Sequence, residues 1–318
     1  MEHNGYIDLQ VNGYGGVDFN DPAVQPGQIH AAVRHLRKDG TAKILATVIT
    51  AAPEQMVACL QNLVAARNLD SLTKEVIAGV HVEGPFISSQ KGYAGAHPLA
   101  AVCQSDCDLA KRFLAAGDGL VRLFTLAPES DPGGKVTRFL TEQNVLVAAG
   151  HTNASLAELM VCIDQGLSLF THLGNGCPMH MHRHDNIIQR ALSLHRHLHY
   201  GLIADGVHLP LFMLRNIIEL AGIERCFIVT DAMAAAGLGP GRYTLGCQTV
   251  EVDETQVAWS EDRSHFVGSA ATMCRCADNL KTAGFSQDEV SALTIHHPAR
   301  LIGANRINQI KEKGGSST

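Results

Sequence analysis

The chain has 318 residues, a formal charge of -6, and 46% hydrophobic against 18% charged residues. The acidic balance excludes strong attraction to nucleic acid or an anionic membrane, and the composition excludes extended disorder. No apolar run reaches the roughly 20 residues that span a bilayer, and the opening Met1-Glu2-His3-Asn4-Gly5 lacks the basic and apolar regions of a signal peptide, so the expected setting is the cytoplasm.

Taken in chain order, short runs rich in Val, Ile, Leu and Ala alternate with stretches of helical apolar spacing. A strand over 6–12 precedes a helix over 26–38 that opens on Pro26; a strand over 42–50 precedes a helix over 53–68 that opens on Pro53. The pattern continues with strands over 76–83, 121–127, 145–151, 168–172, 200–204 and 226–231. Helices follow over 106–116, 132–143, 155–165, 185–195, 210–221 and 270–283. Eight such units predict a (β/α)8 TIM barrel occupying 1–304, with a small β insertion near 241–266 and a polar tail over 305–318. Nine cysteines, an odd count, read as reduced thiols; Cys103/Cys107 and Cys274/Cys276 lack the spacing of a structural zinc site.

In a barrel of this kind, side chains at the C-terminal strand ends point into the mouth where the chemistry sits. Strand one ends in Gln10-Val11-Asn12-Gly13, strand three in His81-Val82-Glu83-Gly84, strand five in Gly150-His151-Thr152, strand six in Thr171-His172-Leu173, and strand eight in Thr230-Asp231-Ala232. Imidazole and carboxylate suit a catalytic zinc, for which three protein ligands and an open position are required, and Glu83, His151 and His172 are assigned that role. Such an ion brings the pKa of a bound water to about 7. Asp231 is left as the general base for that water and then the general acid for a leaving amine. His195-Arg196-His197-Leu198-His199 precedes strand seven and falls at the non-catalytic end. His296 and His297 read as packing or capping residues of a closing helix. The Gly13–Gly16 stretch is no dinucleotide fingerprint.

The segments G-Y-I-D-L-Q-V-N-G, H-V-E-G-P-F, K-G-Y-A-G-A-H, G-H-T-N-A-S, T-H-L-G-N-G-C-P, A-D-G-V-H and V-T-D-A-M occur in one order between Gly5 and about Gly303. As a set they resemble the N-acetylglucosamine-6-phosphate deacetylase family of the amidohydrolase superfamily. The resemblance implies the same metal set (Glu83, His151, His172) and acid/base (Asp231), and adds His97 as the group that polarises the acetamide carbonyl. It also implies sugar-phosphate contacts from Asn175, the backbone of Gly176, His208 and Arg183, the last often reaching across from a neighbouring subunit of a homodimer.

Many amidohydrolases carry His-x-His on strand one; here the spacing survives as Gln10-Val11-Asn12, which resembles the branch with a vacant second-metal position. One divalent metal per site is expected, zinc first, with iron, cobalt or manganese accepted by the same donors. Family members usually add a small β domain built from both termini, and the resemblance implies that most of it is lacking here. The loop from Met179 to Asn186 carries His180, His182 and His184, read as exposed side chains near the phosphate region. The altered loop leaves open the galactosamine epimer or an unphosphorylated amino sugar as substrate. Rival readings are another amidohydrolase acting on a cyclic amide or an N-acyl amino acid, and a silent sugar-phosphate-binding barrel. The latter has no need of all four site residues.

Overall fold

The computed structural model describes residues 5–263 and 265–303. Among these, eight strands form one parallel sheet in sequential order: β1 Tyr6–Val11, β2 Thr41–Ile49, β3 Ile77–Glu83, β4 Val121–Leu126, β5 Leu146–Ala149, β6 Leu167–Phe170, β7 His199–Ile203 and β8 Cys226–Val229. Each strand bound lies within two residues of its expected position.

The sheet curls until β8 meets β1. At the upper end of this seam Val11 bridges Ala232, and the Asn12 N–H donates to the Ala232 carbonyl at 2.7 Å. Lower down, the Asp8 carboxyl on β1 accepts the Thr230 N–H at 3.2 Å and the Thr230 hydroxyl, so a side chain takes the place of ladder bonds. Burial pushes the Asp8 carboxyl up to about 7, against the opposing pull of its hydrogen bonds from Thr230 and Gln10.

Between the strands run α1 Pro26–Lys38, α2 Pro53–Leu69, α3 Cys107–Ala116, α4 Lys135–Glu142, α5 Leu156–Asp164, α6 Ile187–Ser193, α7 Leu211–Ala221 and α8 Met273–Thr282. Side chains of Asp106, Ser155, Asn186 and Thr272 accept N–H groups of the opening turns of α3, α5, α6 and α8. Helix α4 starts three residues later than its apolar pattern suggests. Asp131 accepts the N–H groups of Val136 and Thr137, and Gly134 takes a left-handed turn ahead of the helix. A short helix, Ser71–Val76, capped by Asp70, was not legible in the sequence because six residues carry too little periodicity.

Strand alternation sorts side chains between two cores. Ile44, Ala46, Val48, Val80 and Val82 face outward onto helices, whereas Leu9, Leu45, Leu123 and Phe227 fill the barrel interior. Along β2 the inward column reads Leu45, Thr47, Ile49, and along β3 Gly79, His81, Glu83, so polarity rises toward the mouth. The middle layer is hydrogen bonded: His81 Nε2 lies 2.8 Å from Thr125 Oγ1, which lies 2.6 Å from Thr171 Oγ1. Burial lowers the His81 imidazole to about 4, leaving this layer uncharged.

At the opposite end, a closing helix begins at Gln287 and runs through a π turn, Ala292–His296, packing Ala299, Leu301 and Ile302 against the inner core. His297 Nδ1 bonds the Cys226 carbonyl at 2.9 Å, the packing role expected of it. The expected insertion is a three-stranded antiparallel sheet of β9 Gly241–Leu245, β10 Gln248–Val252 and β11 Ala258–Ser260. The polar tail expected over 305–318 lies outside the described residues.

Candidate active site

Glu83 is the last residue of β3, and His151, His172 and Asp231 each stand two residues beyond β5, β6 and β8. All three of the latter adopt left-handed backbones, with φ of 51°, 33° and 53°. Such conformations cost non-glycine residues about 1–2 kcal/mol each and persist where the surroundings over-determine them. The turn swings each side chain off the strand direction and over the barrel axis.

There the groups meet. His172 Nε2 lies 3.0 Å from both Glu83 Oε1 and His151 Nε2, and His151 Nε2 lies 3.3 Å from the same carboxylate oxygen. His151 Nδ1 donates to the Tyr93 carbonyl at 2.8 Å, so its Nε2 is a bare lone pair in the neutral ring. His172 Nδ1 is buried without a hydrogen-bond partner among the described residues. Burial opposes charge on Glu83, but the close approach of His151 and His172 outweighs it and holds the carboxyl well below its ordinary range. Burial likewise opposes charge on His172, and Glu83 overcomes it, raising that imidazole.

Three donor atoms separated by 3.0–3.3 Å match the edges of a tetrahedral site, which are about 3.3 Å for bonds of 2.0–2.1 Å. Lone pairs of two imidazoles and a carboxylate aimed at one point are the environment a divalent cation satisfies. His97 joins the cluster from the side: donor atoms of Glu83, His97 and His151 lie within 4.8 Å of one another. The Thr50 N–H donates to His97 Nδ1 at 3.3 Å, and Thr50 Oγ1 is 2.7 Å from the same nitrogen. Burial and the neighbouring His151 push the His97 imidazole well below its usual value, so the ring is neutral with its proton on Nε2.

Gln10 Nε2 donates to both Glu83 oxygens at 3.2 and 3.1 Å and to Asp231 Oδ1 at 3.1 Å. Asn12 Nδ2 donates to Asp231 Oδ1 at 2.7 Å. Amide hydrogens rather than lone pairs therefore fill the gap between the two carboxylates. Burial and the Glu83 charge raise the Asp231 carboxyl.

These groups floor a cavity of about 310 Å³ whose rim includes Asn175, Gly176 and His208. His208 is held by Asp205, Nδ1 to Oδ2 2.7 Å, and its ring lies 5.0 Å from that of Phe266. Hydrogen bonds from His208 hold Asp205 below its ordinary value although burial acts the other way. Arg183, His180, His182 and His184 are exposed and do not line the cavity. His199 opens β7, which puts the His195–His199 run at the far end of the barrel. Sequence reasoning missed Ile49, Leu245, Trp259 and Phe266, which wall the cavity.

An eight-stranded parallel barrel with Glu, His, His and Asp gathered at its C-terminal rim defines a hydrolase of the amidohydrolase superfamily. No protein-family model matches the chain. It is 35% identical to N-acetylglucosamine-6-phosphate deacetylase of Bos taurus over 310 residues, 95% of this chain and 74% of the relative. It is 31% identical to the enzyme of the same name from Bacillus subtilis over 305 residues, 94% and 74% of the two chains. A mutant N-acetyl-D-glucosamine-6-phosphate deacetylase from Mycobacterium smegmatis, solved in complex with N-acetyl-D-glucosamine-6-phosphate, superposes with a TM-score of 0.85. It shares 30% identity, with 94% of this chain and 77% of that one covered. The chain belongs to the N-acetylglucosamine-6-phosphate deacetylase family.

Proposed function

We propose that the protein hydrolyses the acetamide of an N-acetyl amino-sugar 6-phosphate, N-acetylglucosamine 6-phosphate foremost, to acetate and the amino-sugar phosphate. The observation that carries this reading is the convergence of Glu83, His151, His172 and Asp231 within one cavity of a chain of this family. Glu83, His151 and His172 would hold a single divalent ion, zinc first, and Gln10 and Asn12 take up the second-metal position with their amides. A divalent ion held there would supply an activated water and polarise the acetamide carbonyl.

The chain's own groups do the rest. Both amides address Asp231 Oδ1, which leaves Oδ2 to take the proton of the attacking water and return it to nitrogen as the C–N bond breaks. His97, with Nδ1 accepting from Thr50, presents Nε2–H to the carbonyl oxygen as charge develops there. Asn175, the Gly176 N–H and His208 receive the sugar phosphate at the rim. Arg183, exposed and outside the cavity lining, serves the phosphate of the neighbouring subunit in a homodimer. The proposed setting is cytoplasmic; the nine cysteines are free thiols, and no helix among the described residues is long and apolar enough to cross a membrane.

The test is acetate release from N-acetylglucosamine 6-phosphate, N-acetylgalactosamine 6-phosphate and their unphosphorylated parents, with elemental analysis of the same preparation. Turnover confined to the phosphorylated sugars, with about one metal per chain, is the expected result. Metal without turnover on any of the four overturns the substrate assignment.

A further inference from the structure

The cavity has two unlike walls. One is aromatic: the Phe266 ring lies 5.0 Å from that of His208 and 4.7 Å from that of Trp259. The other is aliphatic, made by Ile49 at the end of β2, Ala96 beside His97, and Leu245 at the end of β9. Ile49 and Leu245 are only 6% and 4% exposed, and with Ala96 they belong to an apolar cluster separate from the barrel core. Gln248, opening β10, donates from Nε2 to the Ala96 carbonyl at 2.5 Å and clamps the excursion onto this wall.

A second cavity of about 650 Å³ shares the same wall: Ile49, Ala96 and Leu245 line both spaces. Its far side carries Pro53, Met56 and Val102, so it is largely apolar. An N-acylated sugar phosphate is a molecule with two unlike ends. With its carbonyl oxygen at His97 and its sugar phosphate toward Asn175 and His208, the acyl carbons run along the aliphatic wall next to Ala96.

We propose that Ile49, Ala96 and Leu245 are the acyl-length determinants of this enzyme: they close the acyl site just past two carbons, and the cavity behind them is the space a longer chain enters when the wall is opened. This inference rests on the deacetylase reading above. It makes selectivity for acetyl a property of three aliphatic side chains on β2, β9 and the loop carrying His97, distinct from the groups that perform the hydrolysis. A longer acyl chain passes only if the packed Ile49 and Leu245 side chains are displaced from this wall, whereas a shorter one leaves apolar surface uncovered.

The experiment compares kcat/KM for the N-formyl, N-acetyl, N-butyryl and N-hexanoyl amides of glucosamine 6-phosphate in the wild type, Leu245→Ala and Ala96→Val. Leu245→Ala opens the partition and raises the hexanoyl-to-acetyl ratio by about tenfold or more, the discrimination an apolar pocket exerts per methylene. Ala96→Val thickens the wall and lowers the acetyl-to-formyl ratio by a similar factor. Ratios taken within one protein cancel any loss of folded enzyme, and if Leu245→Ala does not fold, the Ala96→Val ratio decides. Variant ratios equal to those of a wild type that releases acetate overturn the length determinants alone, as does a wild type that cleaves hexanoyl as readily as acetyl. A wild type that releases no acetate overturns the deacetylase reading and the length determinants with it.

Discussion

His151 is gripped between two glycines, and the grip predicts a separable effect. A Cβ built on Gly176 falls 2.9 Å from His151 Nδ1, 3.0 Å from Cε1 and 3.2 Å from Cγ, whereas one built on Gly95 falls 3.4 Å from Cε1. Both glycines have left-handed backbones, φ 60° and 57°, so Ala at either position carries the same conformational cost of about 1–2 kcal/mol. Only Gly176→Ala also displaces the ring, by about 0.6 Å if ordinary contact is to be restored. That movement stretches the 2.8 Å bond to the Tyr93 carbonyl and carries Nε2 off a point where metal bonds tolerate shifts of about 0.2 Å. Loss of such a supporting hydrogen bond lowers metal affinity roughly 10–100-fold, equivalent to about 1.4–2.7 kcal/mol. Metal affinity against a chelator buffer, with urea unfolding of the metal-free proteins alongside, reads both terms. Both variants lose stability, Gly176→Ala the more, and only Gly176→Ala loses metal affinity. Equal metal affinities in the two variants would refute the account of how His151 is held.

Three further outcomes are expected. His172→Ala loses metal and activity together, and a variant retaining stoichiometric metal removes His172 from the ligand set. Arg183→Ala impairs phosphorylated substrates while sparing plain sugars; equal losses on both refute its phosphate role. The Asp8 carboxyl, raised by burial from 3.8 to about 7, keeps its proton in the native state over a range where the unfolded chain has released it. Its contribution to stability is therefore full below about pH 4 and is lost as pH rises through about 7, a change of about 4 kcal/mol that Asp8→Asn removes. Parallel stability–pH curves for the wild type and Asp8→Asn between pH 4 and 8 would contradict this.

The barrel was legible because its strands are apolar on both faces and its helices on one, a contrast written residue by residue. The β1–β8 seam was not, because pairing there passes through the Asp8 side chain and a single bridge. Glu83, His151, His172 and Asp231 stood out as polar residues closing apolar runs. The left-handed backbones of His151, His172 and Asp231 did not, since none is the glycine that usually marks such a turn. The walls of the cavity were hidden for a different reason. Whether Leu245 and Trp259 face the mouth depends on how a three-stranded excursion folds back over the barrel, which no local pattern records. Nothing local marks Ile49 on β2, and only its position level with Glu83 makes it part of the site.

The claim at the centre of the account is that Asp231 moves the proton while Glu83, His151 and His172 hold the metal. Asp231→Asn keeps an oxygen able to accept from Gln10 and Asn12, so shape and metal content should persist while the proton acceptor is gone. Acetate release from N-acetylglucosamine 6-phosphate, measured with metal content on one preparation each of the wild type and Asp231→Asn, tests it most directly. The account predicts about one metal per chain in both and a fall in kcat of roughly 10²–10⁴-fold in the variant. Wild-type turnover in Asp231→Asn, or loss of the metal together with activity, would contradict it.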